Sequence, residues 1–395
     1  MKILMLTPYL PYPLLSGGQI RTYNLLKNLA KKHEIVLFSF IRNESENRYK
    51  DELLKFVKRV ETFKRRPAWS IFNILLAGLT PFPFLVSIYY SRKLQKAILE
   101  ELRNYTYHLI HSETFYVMPN IPKTKVPVLL VEQTIEFLVY QHFVETVYLP
   151  LRLLLSLDVG KIKFWEKFYW KKAKKVVAMS EGDKEVMERE VPHLDVDIVP
   201  NGVDTEDFFQ IKKEKSNNPI ILFVGNFKWL QNQEAVSILV TQIWPEIVKK
   251  LPRARLWIVG RYPTPEIQAY ESDTIKVSGN IVDIKKVYSK ANILLAPIYG
   301  PGGTRYKILE AMASGIPVVT TSQGIEGLNA KDQIHAIVRD DPKLQADATI
   351  KLLTDRSLYL QLAQNGKKMI AQNYDWKKIS EKLDYLYQKV GKENA

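Results

Sequence analysis

The residues best suited to chemistry lie in one stretch near the end of the chain, from Gly302 to Thr321. Two glycines open it, where a ligand can approach the backbone closely, and a predicted helix with Arg305, Lys307 and Glu310 follows. The first turn of a helix presents unpaired N–H groups and a partial positive charge, which together with two basic side chains suit a phosphate or diphosphate. An ordinary helix after a tight glycine turn would look the same, so that alternative stays open.

The ends of this predicted helix carry their own signals. Thr304 is a residue type that favours the N-cap position. Gly315 followed by Pro317 is a typical helix end, and the β-branched run Val318–Thr321 is typical of a buried strand. The stretch therefore predicts a loop, a helix and a strand in succession.

The composition indicates a globular protein of two domains. The chain has 395 residues, of which 46% are hydrophobic and 25% are charged. It contains no cysteine, so disulfides and thiolate metal sites are excluded, and a reducing compartment is favoured. The first residues run directly into a strand and Pro8, too short for the apolar core of a signal peptide. We therefore expect a cytoplasmic protein.

The net charge of +15 is compatible with a nucleic acid partner, an anionic membrane surface or anionic substrates. Arg48–Arg66 holds eight basic residues against three acidic ones, and Lys161–Lys175 holds seven against one. Because no nucleic-acid-binding module is recognisable, we expect no nucleic acid partner. An anionic membrane fits better, and peripheral contact with the inner membrane surface is an open expectation.

Two apolar segments adjoin these basic runs. Ala68–Tyr90 is long enough to suggest a membrane span, but Pro81 and Pro83 break it, so core packing or interfacial contact is preferred. In Tyr148–Lys175 the aromatic residues recur at helical spacing, which favours core packing over membrane contact.

The first half of the chain alternates strands and helices. Lys2–Leu6 and Glu34–Phe40 are predicted strands, separated by a loop that ends at Gly17 and Gly18 and by a helix. Polar residues at the carboxyl ends of later strands are candidates for ligand contact: His111, Glu132, Gln133 and Glu136. For His111, a hydrogen-bonded structural role is an equally good interpretation. Asp195 and Asp197 have a spacing used for metal diphosphates, but they fit a strand better.

The second half repeats the alternation. A strand and glycine turn at Pro219–Asn226 restart the pattern, and Arg255–Gly260 and Asn292–Pro297 are further buried strands. The domain boundary is predicted near the turn Ile198–Asp204. A closing amphipathic helix is predicted from Trp376 to Val390.

Four of these patterns, in this order, resemble the retaining glycosyltransferases of the GT-B fold, family 4. They are the Gly17-Gly18 loop, the Ile198–Asp204 turn, the Gly225 turn and the segment from Gly302 to Thr321. The resemblance implies an α/β protein with two facing Rossmann-like doubly wound domains. It places the acceptor-side domain at residues 1–200, the nucleotide-sugar-binding domain at 201–372, and a C-terminal helix at 373–395 that packs back on the first domain.

The resemblance also implies roles for single residues. Arg305, Lys307 and Glu310 would be the catalytic group, the first two facing the diphosphate and Glu310 accepting hydrogen bonds from the ribose. His111, Glu132, Gln133 and Glu136 would lie on the acceptor side. The donor would be bound by the following residues: Gly17, Gly18, Lys228, Val282, Gly302, Gly303 and Thr304. Gly279, with Val282, lies where the family's base-contacting backbone is found.

The chain departs from the family pattern at two positions. Gly302 stands where the family has the first glutamate of its Glu-x7-Glu motif, and Gln133 stands where a histidine is common. The expected function is retaining, metal-independent transfer of a hexose from a nucleotide diphosphosugar to a sugar or lipid-linked hydroxyl acceptor, with no cofactor and no metal, in cell-envelope polysaccharide or glycolipid synthesis.

The alternative is a non-catalytic nucleotide-sugar-binding protein of the same fold, suggested by Gly302. A GT-B epimerase or phosphorylase is disfavoured by the Gly302–Thr321 pattern and because no lysine motif for pyridoxal phosphate is evident.

Overall fold

The computed structural model describes residues 1–214, 218–279, 281–300 and 305–392. The chain divides into two units, Met1–Pro200 with Lys377–Ala395, and Asn201–Trp376. Each unit is built around its own parallel sheet with its own buried apolar cluster.

The sheet of the first unit has seven strands among the described residues, in the order β3-β2-β1-β4-β5-β6-β7. Its inner strands are almost wholly buried, which explains their continuous apolar sequences, whereas the two edge strands are only partly buried. The strand order reverses between β1 and β4, and ligands of open α/β sheets bind at such a reversal. The strands are β1 (Lys2–Thr7), β2 (Glu34–Ile41), β3 (Arg59–Lys64), β4 (Leu109–Glu113), β5 (Val128–Val131), β6 (Lys175–Ala178) and β7 (Val196–Ile198).

The helices of the first unit connect these strands. The first begins earlier than expected: Gly17 and Gly18 are its first two residues, after the N-cap Ser16, so the prediction that they end a loop is wrong. The helices are α1 (Gly17–Leu29), α2 (Lys50–Leu54), α3 (Ile71–Leu79), α4 (Phe84–Tyr89), α5 (Arg92–Asn104), α6 (Glu136–Glu145), α7 (Leu149–Lys172) and α8 (Glu181–Glu190), with 3-10 turns at Glu44–Tyr49 and Phe115–Asn120.

The sheet of the second unit has six parallel strands in the described ranges, ordered β10-β9-β8-β11-β12-β13. Its order reverses between β8 and β11. Gly225 and Gly260 are paired in register, and a Cβ atom on Gly260 would lie 1.7 Å from the Gly225 carbonyl oxygen, so this position requires glycine. The strands are β8 (Ile220–Asn226), β9 (Arg255–Arg261), β10 (Ile275–Gly279), β11 (Ile293–Ala296), β12 (Val318–Thr320) and β13 (Ile337–Val338).

The helices of the second unit include one irregularity. The helical stretch at residues 230–250 is divided by a π-helical turn at Leu239–Ile243, just before Pro245, whose missing N–H cannot continue the α-helical bonding. The helices are α9 (Thr205–Phe209), α10 (Leu230–Ile238), α11 (Trp244–Lys250), α12 (Pro265–Gln268), α13 (Ile284–Lys290), α14 (Tyr306–Ala313), α15 (Ser322–Ile325), α16 (Pro342–Thr354) and α17 (Arg356–Asn373).

The closing helix α18 (Trp376–Lys392) packs within the first unit. Asp384 accepts hydrogen bonds from Lys32 Nζ at 2.7 Å and pairs with His33 Nε2 at 2.8 Å. Leu383 and Tyr387, one turn apart, are fully buried. The predicted class of two doubly wound α/β sheets with a returning C-terminal helix is confirmed.

The two apolar segments of the first unit have mixed burial. Ala68–Tyr90 forms α3, which is mostly exposed, and α4, which is mostly buried. In α7 the core interpretation is right for Tyr169 and Trp170 but wrong for Phe164 and Phe168, which are exposed. Within the described ranges, no helix is both long enough and apolar enough to cross a bilayer.

Candidate functional site

The helix α14 begins one residue later than its predicted cap implied. Arg305, rather than Thr304, occupies the N-cap position, and its Nη2 donates to the Gly300 carbonyl oxygen at 2.8 Å. At the other end, Gly315 has a φ of 69°, and its N–H and that of Ile316 bond back to α14, so the predicted glycine stop is confirmed. The predicted contacts at Gly302, Gly303 and Thr304 lie outside the described residues.

The lysine of α14 lies close to the carboxyl end of β8. Lys307 Nζ donates to Asn232 Oδ1 at 2.7 Å and lies 4.3 Å from the centre of the Phe223 ring. Asn232 in turn donates to the Asn226 carbonyl at 2.9 Å. Burial, with the charge of Arg305 adding to it, lowers the pKa of Lys307 well below its usual value.

The pKa of the glutamate of α14 is shifted in the opposite direction to that of Lys307. Glu310 accepts a hydrogen bond from the Tyr288 hydroxyl at 2.9 Å, and burial raises its pKa to about 7. Tyr288 lies on α13 and is fully buried. Lys307 and Glu310 are thus both held where their charged forms are disfavoured, on one helix beside the strand reversal. Neighbouring residues with strongly shifted pKa values are typical of functional sites.

Tyr306, the first residue of α14, links the helix to the start of the second unit. Its hydroxyl donates to Asn201 Oδ1 at 3.0 Å. The next residue, Gly202, lies so close to the Trp376 ring and the Tyr374 carbonyl oxygen that a Cβ atom would come within 2.9 Å of both. The predicted turn Ile198–Asp204 therefore helps to position α14, and the boundary between the two units lies within it.

The other predicted donor residues of the second unit are more exposed. Lys228 Nζ lies 3.7 Å from the centre of the Tyr262 ring. Val282 is fully exposed, and Gly279 is the last residue of β10. The described contacts do not join these three residues to the polar groups of α14.

In the first unit, hydrogen bonds join the carboxyl ends of three strands. Tyr9 Oη donates to Gln133 Oε1 at 2.9 Å, and Gln133 Nε2 donates to Glu113 Oε2 at 2.7 Å. His111 Nε2 pairs with Glu113 Oε1 at 3.1 Å, and its Nδ1 lies 2.5 Å from the Tyr387 hydroxyl of α18. We call these five residues the strand-end network.

Ionisation of Glu113 depends on this network. Burial alone would raise its pKa, but the bond and charge of His111, with Arg21 and Gln133, hold the pKa below its usual value. Arg21 is itself buried and donates to the carbonyl oxygens of Val199 and Pro200 at 2.8 and 2.7 Å. These hydrogen bonds fit the structural interpretation of His111 that its sequence left open.

Gly18 lies directly against the strand-end network. A Cβ atom there would come within 2.2 Å of the Tyr9 hydroxyl and 2.4 Å of Gln133 Oε1. The glycine is thus explained by packing within the first unit. Thr114, next to Glu113, has a φ of 71°, which is unusual for a β-branched residue and indicates backbone strain at the strand reversal.

The two predicted acceptor-side glutamates differ in burial. Glu132 is buried and accepts from Trp170 Nε1 at 3.0 Å and from the Phe115 N–H at 3.2 Å. Glu136 is only half-buried, at the start of α6, and burial raises its pKa to about 7. The buried carboxylate of Glu166 accepts from the N–H groups of Glu136 and Phe137 and so caps α6.

Five residues that complete these clusters are not predicted from the sequence: Tyr9, Glu113, Asn232, Tyr288 and Glu166. Glu113 follows His111 by two residues at a strand end, a position that could have been noticed. Asn232 and Tyr288 lie inside helices, where their contacts with α14 depend on tertiary packing. The pair Asp195 and Asp197, considered for a metal, bonds to Lys175 Nζ, each at 2.5 Å.

Comparison with known proteins identifies the family. The family model described as Glycosyltransferase Family 4 matches residues 15–207, and that of Glycosyl transferases group 1 matches residues 218–355. Together they span most of the chain. The chain belongs to the family 4 glycosyltransferases, and its two sheets have the GT-B arrangement of strands and helices.

Curated relatives match over part of their length. A lipopolysaccharide core biosynthesis mannosyltransferase, LpsB of Rhizobium meliloti, is 25% identical over 57% of this chain and 68% of its own. An uncharacterized 44.6 kDa protein in the cps region of Klebsiella pneumoniae is 25% identical over 46% of this chain and 49% of its own. The matched region therefore spans about half to two thirds of these relatives.

Among solved structures, Anabaena Alr3699/HepE in complex with UDP and glucose has a TM-score of 0.66. It is 17% identical, and the match covers 98% of this chain and 100% of that one. This similarity supports the fold over the whole chain.

Proposed function

We propose that this protein is a retaining, metal-independent hexosyltransferase. It would move a hexose from a nucleotide diphosphosugar to a hydroxyl group of a sugar or lipid-linked acceptor, in synthesis of a cell-envelope polysaccharide or glycolipid. The proposal is supported by membership of family 4, by a relative that is a lipopolysaccharide core mannosyltransferase, and by a structural neighbour that holds UDP and glucose.

The observation that carries the proposal is the polar group on α14. Arg305, Lys307 and Glu310 lie within six residues of each other, at the start of a helix beside the strand reversal. Lys307 is held in a site that disfavours its charge, so a dianionic diphosphate would gain both the lysine's positive charge and its hydrogen bond.

In the proposed reaction, the bond between the sugar anomeric carbon and the diphosphate oxygen breaks and the acceptor oxygen takes its place. Arg305 and protonated Lys307 would stabilise the charge that develops on the diphosphate. Such charge-assisted hydrogen bonds contribute roughly 1.5–3 kcal/mol each. The departing phosphate oxygen would receive the acceptor's proton, which requires neither a separate protein base nor a metal ion.

Glu310 would bind the donor's ribose. Its carboxyl group already accepts from Tyr288, and two ribose hydroxyls would add hydrogen bonds to the ionised form. These bonds would lower its pKa from about 7 on donor binding. Tyr288 would then orient the carboxylate from the buried side.

On the acceptor side, the contacts of the first unit favour Glu136 over the other candidates. His111 and Gln133 are engaged within the strand-end network, and Glu132 is buried by Trp170 and Phe115. Glu136 is half-buried and follows β5, where a sugar hydroxyl could reach it. We propose Glu136 as the acceptor contact among the four.

The proposal is tested by offering a panel of nucleotide diphosphosugars with lipid extracts and simple sugar acceptors, and measuring release of nucleoside diphosphate and formation of product. Activity that persists in EDTA, with a product whose anomeric configuration by NMR matches the donor's, is the expected result. Inversion of configuration, or complete loss of activity in EDTA, would contradict the mechanism.

The second candidate is a non-catalytic nucleotide-sugar-binding protein, motivated by Gly302 in place of the family's glutamate. It predicts calorimetric binding of the same nucleotide sugars without product across the whole panel. Replacing Gly302 with Glu provides a further comparison, since gain of activity in that variant alone would favour this candidate.

A further inference from the structure

The first unit exposes large apolar side chains on two helical segments. One comprises residues 69–79, which include α3, and the other comprises residues 148–157, which form the first part of α7. Trp69 is 84% exposed, Leu79 is 83% exposed and Leu157 is 69% exposed. We call these two segments together the apolar surface. A monomer in water rarely exposes so much apolar area without a partner.

The two segments meet at one junction although they are far apart in sequence. Lys161 Nζ, on α7, donates to the carbonyl oxygens of Ala77 and Thr80 at the end of α3, at 2.5 and 2.9 Å. Trp165 Nε1 donates to the Pro81 carbonyl at 2.8 Å, and Asp158 accepts from the Phe84 N–H at 2.9 Å. These bonds fix the orientation of the two segments near their junction.

The surface is formed by ordered helices. In α3, Ser70 caps the first turn, and buried Asn73 Nδ2 donates to the Pro67 carbonyl at 2.7 Å. The Trp69 ring contacts that of Phe84, with centroids 5.5 Å apart. At the start of α7, its N-cap Tyr148 and every residue from 149 to 154 are exposed. Apolar residues exposed around the whole helix differ from the single buried stripe of an ordinary surface helix.

Within the two segments the single charged side chain, Arg152, is basic, and Asp158, which follows the second segment, accepts from the Phe84 N–H. The sequence has no acidic residue between Glu61 and Glu100, and none between Glu145 and Asp158. Arg65 and Arg66 precede α3, and Arg152 lies within the exposed part of α7. A basic border around an apolar face complements the anionic headgroups and acyl region of a bilayer.

The structure also shows which members of the Lys161–Lys175 run have internal roles. Lys161 caps α3, Lys163 and Lys167 bond to Glu190 at 2.7 and 3.0 Å, and Lys175 bonds to Asp195 and Asp197. Lys171 is exposed and lines, with Phe164 and Phe168, a surface hollow of about 340 Å³. Several lysines of this basic run therefore have structural roles. The exposed apolar side chains are the main evidence for a binding surface.

From these observations we propose that the apolar surface inserts its side chains into the interfacial region of an anionic lipid bilayer. A second copy of this chain is the less suitable occupant, because a symmetric contact would bring the same basic border against itself. This inference is separate from the proposed transferase activity, since lipid binding can be measured with neither donor nor acceptor present.

The test is sedimentation of the full chain with vesicles of phosphatidylcholine, alone or mixed with phosphatidylglycerol. The wild type should bind the mixed vesicles, with little binding to phosphatidylcholine alone and weaker binding as salt rises. The double variant Trp69→Ser, Leu79→Ser should bind more than tenfold more weakly. A matched control is Leu344→Ser, Leu360→Ser, two leucines of the second unit that are about half exposed.

Two further measurements separate insertion from simple charge attraction. Brominated lipids should quench part of the tryptophan fluorescence in the wild type, and Trp69→Phe should remove most of that part. Arg152→Glu should reduce binding severalfold, whereas Lys249→Glu on α11, which changes the net charge equally, should not. Melting curves check that every variant is folded.

Three results would overturn the inference. One is failure of the wild type to bind mixed vesicles at low salt. Another is binding by the Trp69→Ser, Leu79→Ser variant equal to that of the wild type. The third is analytical ultracentrifugation that shows a lipid-free dimer in the wild type and a monomer in that variant, which would assign the surface to a second copy.

Discussion

Polar groups gather at the strand reversals of both units, but they are satisfied in different ways. In the first unit, His111, Glu113 and Gln133 bond to one another and to Tyr387, and the pKa of Glu113 is lowered. In the second unit, Lys307 and Glu310 are half-buried, and desolvation disfavours the charged form of each. The first arrangement stabilises the fold, and the second is suited to respond to a ligand. Polar residues at a strand reversal therefore need their partners identified before a function is assigned.

The largest expected effect is on stability and comes from the first unit. His111→Ala should lower the free energy of unfolding by about 3–4 kcal/mol, because it leaves buried Glu113 without its main partner and frees Tyr387 from β4. Urea unfolding measures this change, with Tyr385→Ala at an exposed position of α18 as the control. The affinity of the remaining folded protein for nucleotide should not change. A His111→Ala variant that keeps the wild-type free energy of unfolding but loses nucleotide affinity would contradict the contrast between the two units.

The next largest effect is on transfer and comes from the second unit. Arg305→Ala should lower kcat/KM by roughly 10- to 150-fold, the equivalent of about 1.5–3 kcal/mol for one charge-assisted hydrogen bond in the transition state. The melting temperature should stay close to that of the wild type. Initial rates with the best donor measure the effect, and Lys331→Ala, an exposed lysine of the same unit, is the control. Full activity in Arg305→Ala would show that Arg305 is not part of the active site.

Glu136 provides a pH-dependent test within the first unit. Its pKa in the folded protein is about 7, above the ordinary 4.5. The contribution of its protonated form to the free energy of unfolding is therefore complete below about pH 4.5. That contribution is lost as pH rises through 7. Glu136→Gln should unfold with a free energy about 2 kcal/mol higher than that of the wild type at pH 8, and with little difference at pH 4.5.

The control for this pH dependence is Glu145→Gln, at the exposed end of the same helix. It should differ little from the wild type at either pH. A gain in stability for Glu136→Gln that is equal at both pH values would show that the carboxyl group is not titrating in this range.

The smallest expected effect is a proton count. Because the pKa of Lys307 is lowered in the free protein, binding of a nucleoside diphosphate should be accompanied by proton uptake at a pH where the lysine is partly neutral. Calorimetry in buffers of different ionisation enthalpy measures this uptake. In Lys307→Arg the uptake should disappear, since arginine stays charged. Equal uptake in both proteins would assign the proton to another group.

Much of the fold could be predicted from the sequence, because buried parallel strands and helix ends carry local signals. The stop at Gly315 and the closing helix from Trp376 are examples, and both depend on residues close in sequence. The start of α1 at Gly17 was missed because two glycines are atypical of a helix, although Gly18 is required there by Tyr9 and Gln133.

The candidate site was only partly predictable. The sequence drew attention to α14, whose polar residues lie within six positions of each other, but not to Asn232 or Tyr288, which reach Lys307 and Glu310 from other helices. The exposure of Phe164 and Phe168 was also misjudged, because periodicity identifies a helix face but not what covers it.

The central claim is that α14 holds the diphosphate of the donor, and the most direct measurement is calorimetric titration of UDP and GDP into the wild type and Lys307→Ala. We expect at least one nucleotide to bind the wild type and to bind Lys307→Ala at least tenfold more weakly, with the variant folded by circular dichroism. Equal affinity of both proteins for every nucleoside diphosphate that binds would contradict the claim.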